Sequence, residues 1–412
     1  MTEKLYDKDA YATEFDAAVT AVSACDEQDG MWVTLSATLF FPEEGGQSPD
    51  RGTIDGCEVT DVQITGGEIR HRIRAERKED WTVGRCVHGC IDREFRYRNM
   101  QMHTGEHIFS GLVYARYGYH NVGFHLSERT ATMDYDGKLT EDQLRELETA
   151  ANRAIVENRA VTAWYASAEE LATREYRSKK AIDGAVRLVE IDGIDLCACC
   201  APHVRATGEV GCFKLIGWEN YKGGVRVSYR CGFRAMEDYG ERLALLTNLS
   251  RQLSVKTEDL ADAVSKLMEE RKDAVYAVIE KDRRIALSEI TATVGRDARP
   301  RTEDGRINGA GVLFLAQADA SLLRYSIDEM KRRYAGVVCA LLPVEMPEIA
   351  EGAGVWRFVI EQDGGDVTQW IAKLRERFGA KGGGPANSVQ GSVRAQRRAL
   401  ALVLAELCEG RE

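Results

Sequence analysis

From residue 1 to about residue 95, apolar positions recur in short runs of β-branched and aromatic residues broken by glycine and aspartate. Trp32 to Phe41 stops at Pro42, and Gly52 to Gly56 and Glu58 to Val62 are further runs of this kind. Such runs predict strands, and their close succession predicts a small barrel or closed sheet. At Arg98 the period changes. Met102, His103, Ile108, Phe109, Leu112 and Val113 recur at helical spacing, so one long helix is expected to end near Gly118. A strand-like run spans Gly123 to Asp134. Thr140 and Gln143 then form a capping box that opens an amphipathic helix through Leu144, Leu147, Ala151, Ile155 and Val156. Val186 to Ile191 reads as a strand. Gly224 to Cys231 alternates, placing Arg226, Ser228 and Arg230 on one face, where they could meet a phosphate.

Residues 241 to 294 contain neither Gly nor Pro. Leu246, Leu253, Leu260, Leu267 and Ala274 are spaced by sevens, which predicts a coiled-coil stretch or a long helical hairpin, packed within the chain or pairing two chains. Beyond Gly305 the pattern is α/β, with buried strands at Gly311 to Leu315, Gly336 to Leu342 and Trp356 to Ile360. Helices are expected from Asp366 to Phe378 and from Val389 to Leu407. The expected fold class is α+β, in four parts: a barrel (1–95), an α+β domain (96–235), a long coiled helical segment (236–292) and a C-terminal α/β domain (293–412).

Length supports that modularity, because 412 residues exceed one ordinary core. Hydrophobic content of 44% and charged content of 29% are those of a soluble globular chain, with no apolar run long enough for a membrane span. The N-terminal residues have no signal-peptide character, and eleven irregularly spaced cysteines suit a reducing cytoplasm. The net charge of −11 argues against indiscriminate coating of nucleic acid. Between Gln369 and Leu400, however, seven Lys or Arg residues face one acid and enclose Lys381-Gly382-Gly383-Gly384. Backbone N–H groups of glycines at a helix start offer an anion site, and a solvated helix face is the plainer reading of the same charges.

His103 and His107 lie four apart, one turn of helix, a spacing that lets two imidazoles hold one metal ion. Far downstream, Cys199 and His203 repeat the spacing within a cluster that includes Cys197 and Cys200. Two imidazoles, a thiolate and a third imidazole suit zinc better than calcium or magnesium. The stretch His103 to His107 also fits the inverted zinc-protease signature, which would need a distant carboxylate such as Glu175 or Glu190 and would leave the cysteines idle. Glu106, on the same helix, could orient an imidazole. The turn from Phe41 to Gly52 carries Gly45, Gly46 and Gln47, able to approach a ligand closely or to form a plain hairpin loop.

Thr38 to Pro42, the Gly45-Gly46-Gln47 turn, Asp50 to Gly52, His103-x3-His107, Cys199-x3-His203 and the C-terminal Lys-Gly-Gly-Gly, in that order, resemble the free-standing alanyl-tRNA editing proteins, the AlaX group, in its long form. The resemblance covers nearly the whole chain and extends to the editing and C-terminal parts of alanyl-tRNA synthetases. It implies hydrolysis of seryl-tRNA(Ala), and sometimes glycyl-tRNA(Ala), in the cytoplasm. It implies His103, His107, Cys199 and His203 as ligands of one zinc, Thr38 facing the aminoacyl side chain, Gln47 beside the metal, and the Gly382-Gly383-Gly384 loop touching RNA. Where the family often reads Cys-Gly-Gly-Thr-His, this chain has Cys199-Cys200-Ala201-Pro202-His203, which leaves the choice of sulfur open. No aminoacylation core is present, so no use of ATP is expected. The rival class is a zinc-stapled RNA-binding protein without catalysis, which needs neither Thr38 nor Gln47.

Overall fold

A computed structural model describes residues 1–25, 30–75, 77–128, 131–178, 184–316, 320–345 and 353–410. The chain divides into two compact units, Met1–Gln252 and Leu253–Glu412.

In the first unit six strands pair in a closed ring, in the order Glu14–Ala24, Gly30–Leu35, Glu68–Arg74, Cys57–Thr65, Gly52–Ile54 and Cys86–Ile91. Alternation builds its interior. Phe15, Ala17 and Val19 point inward from the first strand and meet Met31, Val33, Ile69 and Ile73, while the residues between them stay outside. The expected run Trp32 to Phe41 is not one strand. It bends at Ser36, adds Ala37–Thr38 in parallel to Glu3–Lys4, and continues as the buried, non-strand Leu39, Phe40 and Phe41.

The chain leaves the barrel into the helix Arg93–Tyr117, which starts before Arg98 because the Asp92 carboxylate accepts a hydrogen bond from the Phe95 N–H at 3.0 Å. Gly118, with φ 68°, ends it. Ile108, Phe109 and Val113 pack with Leu144, Leu147 and Ala151 of the helix Glu141–Val156, whose Thr140–Gln143 capping box is present. Against the same core lie Met133, Tyr135, Val227 and Tyr229 of a four-stranded sheet in the order Phe213–Tyr221, Gly224–Cys231, Ala131–Tyr135, Asn121–Leu126. The run expected as one strand from Gly123 to Asp134 is therefore a hairpin; its Arg129 and Thr130 lie outside the described residues. A separate three-stranded sheet, Val161–Tyr165, Arg187–Ile191 and Asp195–Ala198, delivers the cysteine cluster.

The helical stretch without Gly or Pro is not continuous. The helix Gly232–Leu253 stops before Ser254, which adopts φ 54°, and a new helix runs over Leu260–Arg296. Leu246 of the first unit is 42% exposed; in the second, Leu260 is buried and Leu267 is 53% exposed.

The second unit is a five-stranded sheet in the order Gly311–Phe314, Val338–Glu345, Gly354–Glu361, Ser388–Ala395, Lys381–Gly383, parallel only in its first pair. Ala286 and Ile290 of the long helix pack with Leu313, Ile327 and Val338. Two expectations fail here. Residues 389 to 395 are strand rather than helix, since Val389, Val393 and Ala395 are buried with period two, and the last helix is Arg397–Cys408. The glycine loop does not open a helix. Lys381, Gly382 and Gly383 form an edge strand paired with Ser392, Gly391 and Gln390.

Candidate metal centre

His103 and His107 project from one face of the buried helix Arg93–Tyr117, and the segment after the strand Asp195–Ala198 brings Cys199 and His203 to them. The ligand atoms of the four side chains all lie within 4.8 Å of one another. Cys199 Sγ is 3.6 Å from His103 Nε2 and 3.4 Å from His203 Nε2. A tetrahedral zinc with usual Zn–S and Zn–N bonds would set such edges at about 3.5 Å. Cys199 is thus the sulfur that faces the imidazoles; Cys197 groups instead with His107 and Asp195, and Cys200 lies against Gly45.

The other nitrogen of each ring is held from behind. His103 Nδ1 is 2.8 Å from Gln47 Oε1, His107 Nδ1 is 3.0 Å from Asp195 Oδ2, and His203 Nδ1 is 3.0 Å from Thr104 Oγ1. Carboxylate and amide oxygens only accept, so the rings of His103 and His107 carry their hydrogen on Nδ1. In the neutral ring that leaves Nε2 bare toward the sulfur, the tautomer a metal requires, and a bound metal would displace the second proton that His107 otherwise holds. Arg177 donates to both Asp195 oxygens, at 2.6 and 2.8 Å, fixing the carboxylate in turn. Gly111, one turn beyond His107, admits this arrangement, because a Cβ there would lie 2.7 Å from the Ile194 carbonyl oxygen.

Electrostatics favour a cation among these groups. Burial pushes the Cys199 thiol up, but its interactions with the imidazoles of His103 and His203 outweigh that and hold the thiol well below its ordinary value. Burial lowers His107, yet its hydrogen bonds to Asp195 and Cys199 bring it to about 9. His203, where burial dominates, falls to about 3.

Gln47 sits in the expected turn, docked by backbone bonds from Leu126 N–H to the Gly46 carbonyl at 2.7 Å and from Ser48 N–H to the Leu126 carbonyl at 2.9 Å. Gly46, φ 83°, is required there, since a Cβ would lie 2.2 Å from the Phe124 carbonyl oxygen. The far end of the turn is tied to the histidine helix by the buried ion pair of Asp50 with Arg96, while Asp50 also accepts from Phe41 N–H at 2.7 Å. With its oxygen committed to His103, Gln47 keeps a buried Nε2 that has no hydrogen-bond partner among the described residues.

Thr38 is fully buried, and its hydroxyl lies 2.9 Å from His71 Nε2 and accepts from Phe40 N–H at 3.0 Å. Among the described residues no hydrogen bond joins it to the four-residue cluster. Glu106 does not orient an imidazole through Nδ1. Its Oε1 accepts from Ser110 and Asn121, and the orienting carboxylate is Asp195. Among the described residues neither Glu175, which accepts from Tyr114, nor Glu190, 3.7 Å from Arg174, joins the His103–His107 cluster as the protease arrangement would need. Arg226, expected on a strand face open to a phosphate, is paired within the sheet. It makes two 2.7 Å bonds to Asp134 and stacks on Tyr221, on the strand face opposite the buried Val225 and Val227. Asp195, Thr104, Arg177 and His71 were not singled out by sequence reasoning. Asp195 and Thr104 do stand close in sequence to residues that were, which is the only signal they carry.

In the second unit, Lys381, Gly382, Gly383 and Gly384 are exposed, and Arg324, Arg357, Lys381 and Gln390 line a groove of about 550 Å³. Among the described residues no helix is long and apolar enough to cross a membrane.

Residues 186–228 match the family described as threonyl and alanyl tRNA synthetase second additional domain. The chain is 31% identical over 283 residues to the alanyl-tRNA editing protein AlaX-L of Pyrococcus horikoshii, covering 65% of this chain and 69% of that protein. It is 25% identical over 401 residues to the alanyl-tRNA editing protein Aarsd1 of Danio rerio, covering 94% and 92%. With the alanine–tRNA ligase of Ignicoccus hospitalis it shares 30% identity over 400 residues, 94% of this chain but 40% of the ligase.

Proposed function

Because the chain belongs to the alanyl-tRNA editing proteins, aminoacyl-tRNA deacylases acting on mischarged tRNA(Ala), we propose that it hydrolyses the ester of seryl-tRNA(Ala) at a centre in which His103, His107, Cys199 and His203 hold one zinc ion. The observation that carries this reading is the set of Nδ1 partners, Gln47, Asp195 and Thr104, which turn three Nε2 atoms toward one sulfur. When bound, zinc supplies a fixed positive charge beside the ester.

The chain's own groups do the rest. Gln47, its oxygen held by His103 Nδ1, offers its unpartnered Nε2 hydrogens to the ester carbonyl oxygen, where negative charge grows as water adds. Hydrolysis breaks the bond between the carbonyl carbon and the terminal ribose oxygen; the water oxygen stays on the carbon and a proton passes to the ribose oxygen. Thr38 reads the side chain. Serine differs from alanine by one hydroxyl, and a polar partner built for that hydroxyl discriminates better than an apolar pocket. The exposed cations of the second unit, Lys381 among them, are assigned to the tRNA backbone.

Incubation of the full chain with radiolabelled seryl- and alanyl-tRNA(Ala) tests this function. Selective release of serine is expected. Binding of both with release of neither would favour the non-catalytic RNA-binding protein.

A further inference from the structure

His71 stands in the barrel strand Glu68–Arg74, opposite Val33, with no exposed surface. Its Nδ1 is 3.1 Å from the Val33 carbonyl oxygen and its Nε2 is 2.9 Å from Thr38 Oγ1. The Phe40 ring packs edge-on against the imidazole, with centroids 5.4 Å apart. We infer that His71 is a positioning residue that makes Thr38 a hydrogen-bond acceptor only, so that an aminoacyl side chain brought against Thr38 is favoured when it donates a hydrogen bond, as serine does and alanine and glycine do not.

The argument is a count of hydrogens and lone pairs. A carbonyl oxygen cannot donate, so the hydrogen between His71 and Val33 belongs to Nδ1. Burial pushes His71 down to about 4, so at neutral pH the ring is uncharged and Nε2 is a bare lone pair. The single hydroxyl hydrogen of Thr38 is therefore given to His71. Of its two lone pairs, one receives the Phe40 N–H at 3.0 Å. One lone pair remains. Toward a bound side chain Thr38 can only accept, and the serine hydroxyl is the complementary donor, whereas a methyl group or a hydrogen is not. A threonine with a freely rotating hydroxyl would accept or donate and would tell a donor from an acceptor less well.

This inference rests on the reading that Thr38 faces the aminoacyl side chain, and the experiment separates the two. The full chain is given tRNA(Ala) charged with serine, alanine, glycine or 3-fluoroalanine, in which fluorine replaces the hydroxyl at similar size but cannot donate. Rates are taken relative to hydrolysis in buffer. Serine is expected to be released about tenfold or more faster than 3-fluoroalanine and glycine. In His71→Leu the serine-to-alanine ratio should fall about tenfold with zinc retained, whereas His71→Gln, whose amide oxygen can accept the Thr38 hydrogen, should keep the ratio within about threefold. Release of 3-fluoroalanine as fast as serine overturns the inference, as does a folded, zinc-loaded His71→Leu with the unaltered ratio. If His71→Leu does not fold, the fluorine comparison decides, since it needs no substitution. An unchanged ratio in Thr38→Val would instead remove the reading of Thr38 itself.

Discussion

Asp195 accepts the Nδ1 hydrogen of His107 at 3.0 Å while its two oxygens are held by Arg177, so one buried carboxylate links the His107 ring to the sheet beside it. Such outer partners set ring orientation and ligand basicity. Replacing Asp195 by alanine frees the His107 ring and leaves the buried Arg177 without its counter-charge. Zinc affinity of the full chain, measured by competition with a chromophoric chelator, is expected to fall about 10- to 100-fold. An unchanged affinity would mean that Asp195 does not tune the His107 ring for metal binding.

The buried His71 makes the first unit sensitive to acid. Its pKa is pushed from the ordinary 6.5 to about 4 by burial, the Val33 hydrogen bond opposing. Between those values the unfolded chain binds the proton and the folded one does not. The stabilising contribution is therefore full above about pH 6.5 and is lost as pH falls through about 4, a change of about 3 kcal/mol. Urea unfolding of the 1–252 segment should show a flatter loss from pH 7 to 4 in His71→Gln than in the unsubstituted segment. Equal slopes would mean that another group carries the acid sensitivity.

The four-residue cluster was legible in the sequence because its members come in two pairs at helical or turn spacing, His103 with His107 and Cys199 with His203. Gln47 was legible for a different reason, since paired glycines mark a turn that approaches another backbone. The groups behind the ligands were not. Asp195 and Thr104 act across 88 and 99 residues of chain on His107 and His203, and beyond their closeness in sequence to His103 and Cys199 nothing distinguishes them from surface polar residues. His71 is one polar position in a strand, and only the register that sets it opposite Val33 gives it a role. In the second unit the basic window was read with a helical period, although Val389, Val393 and Ala395 alternate. The glycines before them then look like a loop rather than an edge strand. Arg226 shows the converse limit: alternation put it on the correct face, but its partner Asp134 lies on a neighbouring strand.

Division of labour between the two units gives a further prediction. A chain ending at Gln252 keeps every residue of the His103, His107, Cys199 and His203 cluster and its Nδ1 partners. It is expected to retain zinc and turnover but to need more tRNA(Ala) for half-maximal rate, with a shallower dependence of binding on salt, because the cations of the second unit no longer release counterions. Filter binding across a salt series checks this. Equal affinity and equal slope in the shortened chain would take RNA contact away from the second unit.

The most direct test of the account measures metal content and serine release on the same preparations. By mass spectrometry and deacylation of radiolabelled seryl-tRNA(Ala), the unsubstituted chain should carry about one zinc and release serine, because four ligands converge on one point. His103→Ala/His107→Ala should carry almost none, since two remaining ligands bind too weakly to survive purification, and should release serine no faster than buffer. Full zinc occupancy in the double variant, or undiminished serine release from it, would contradict the assignment of these residues.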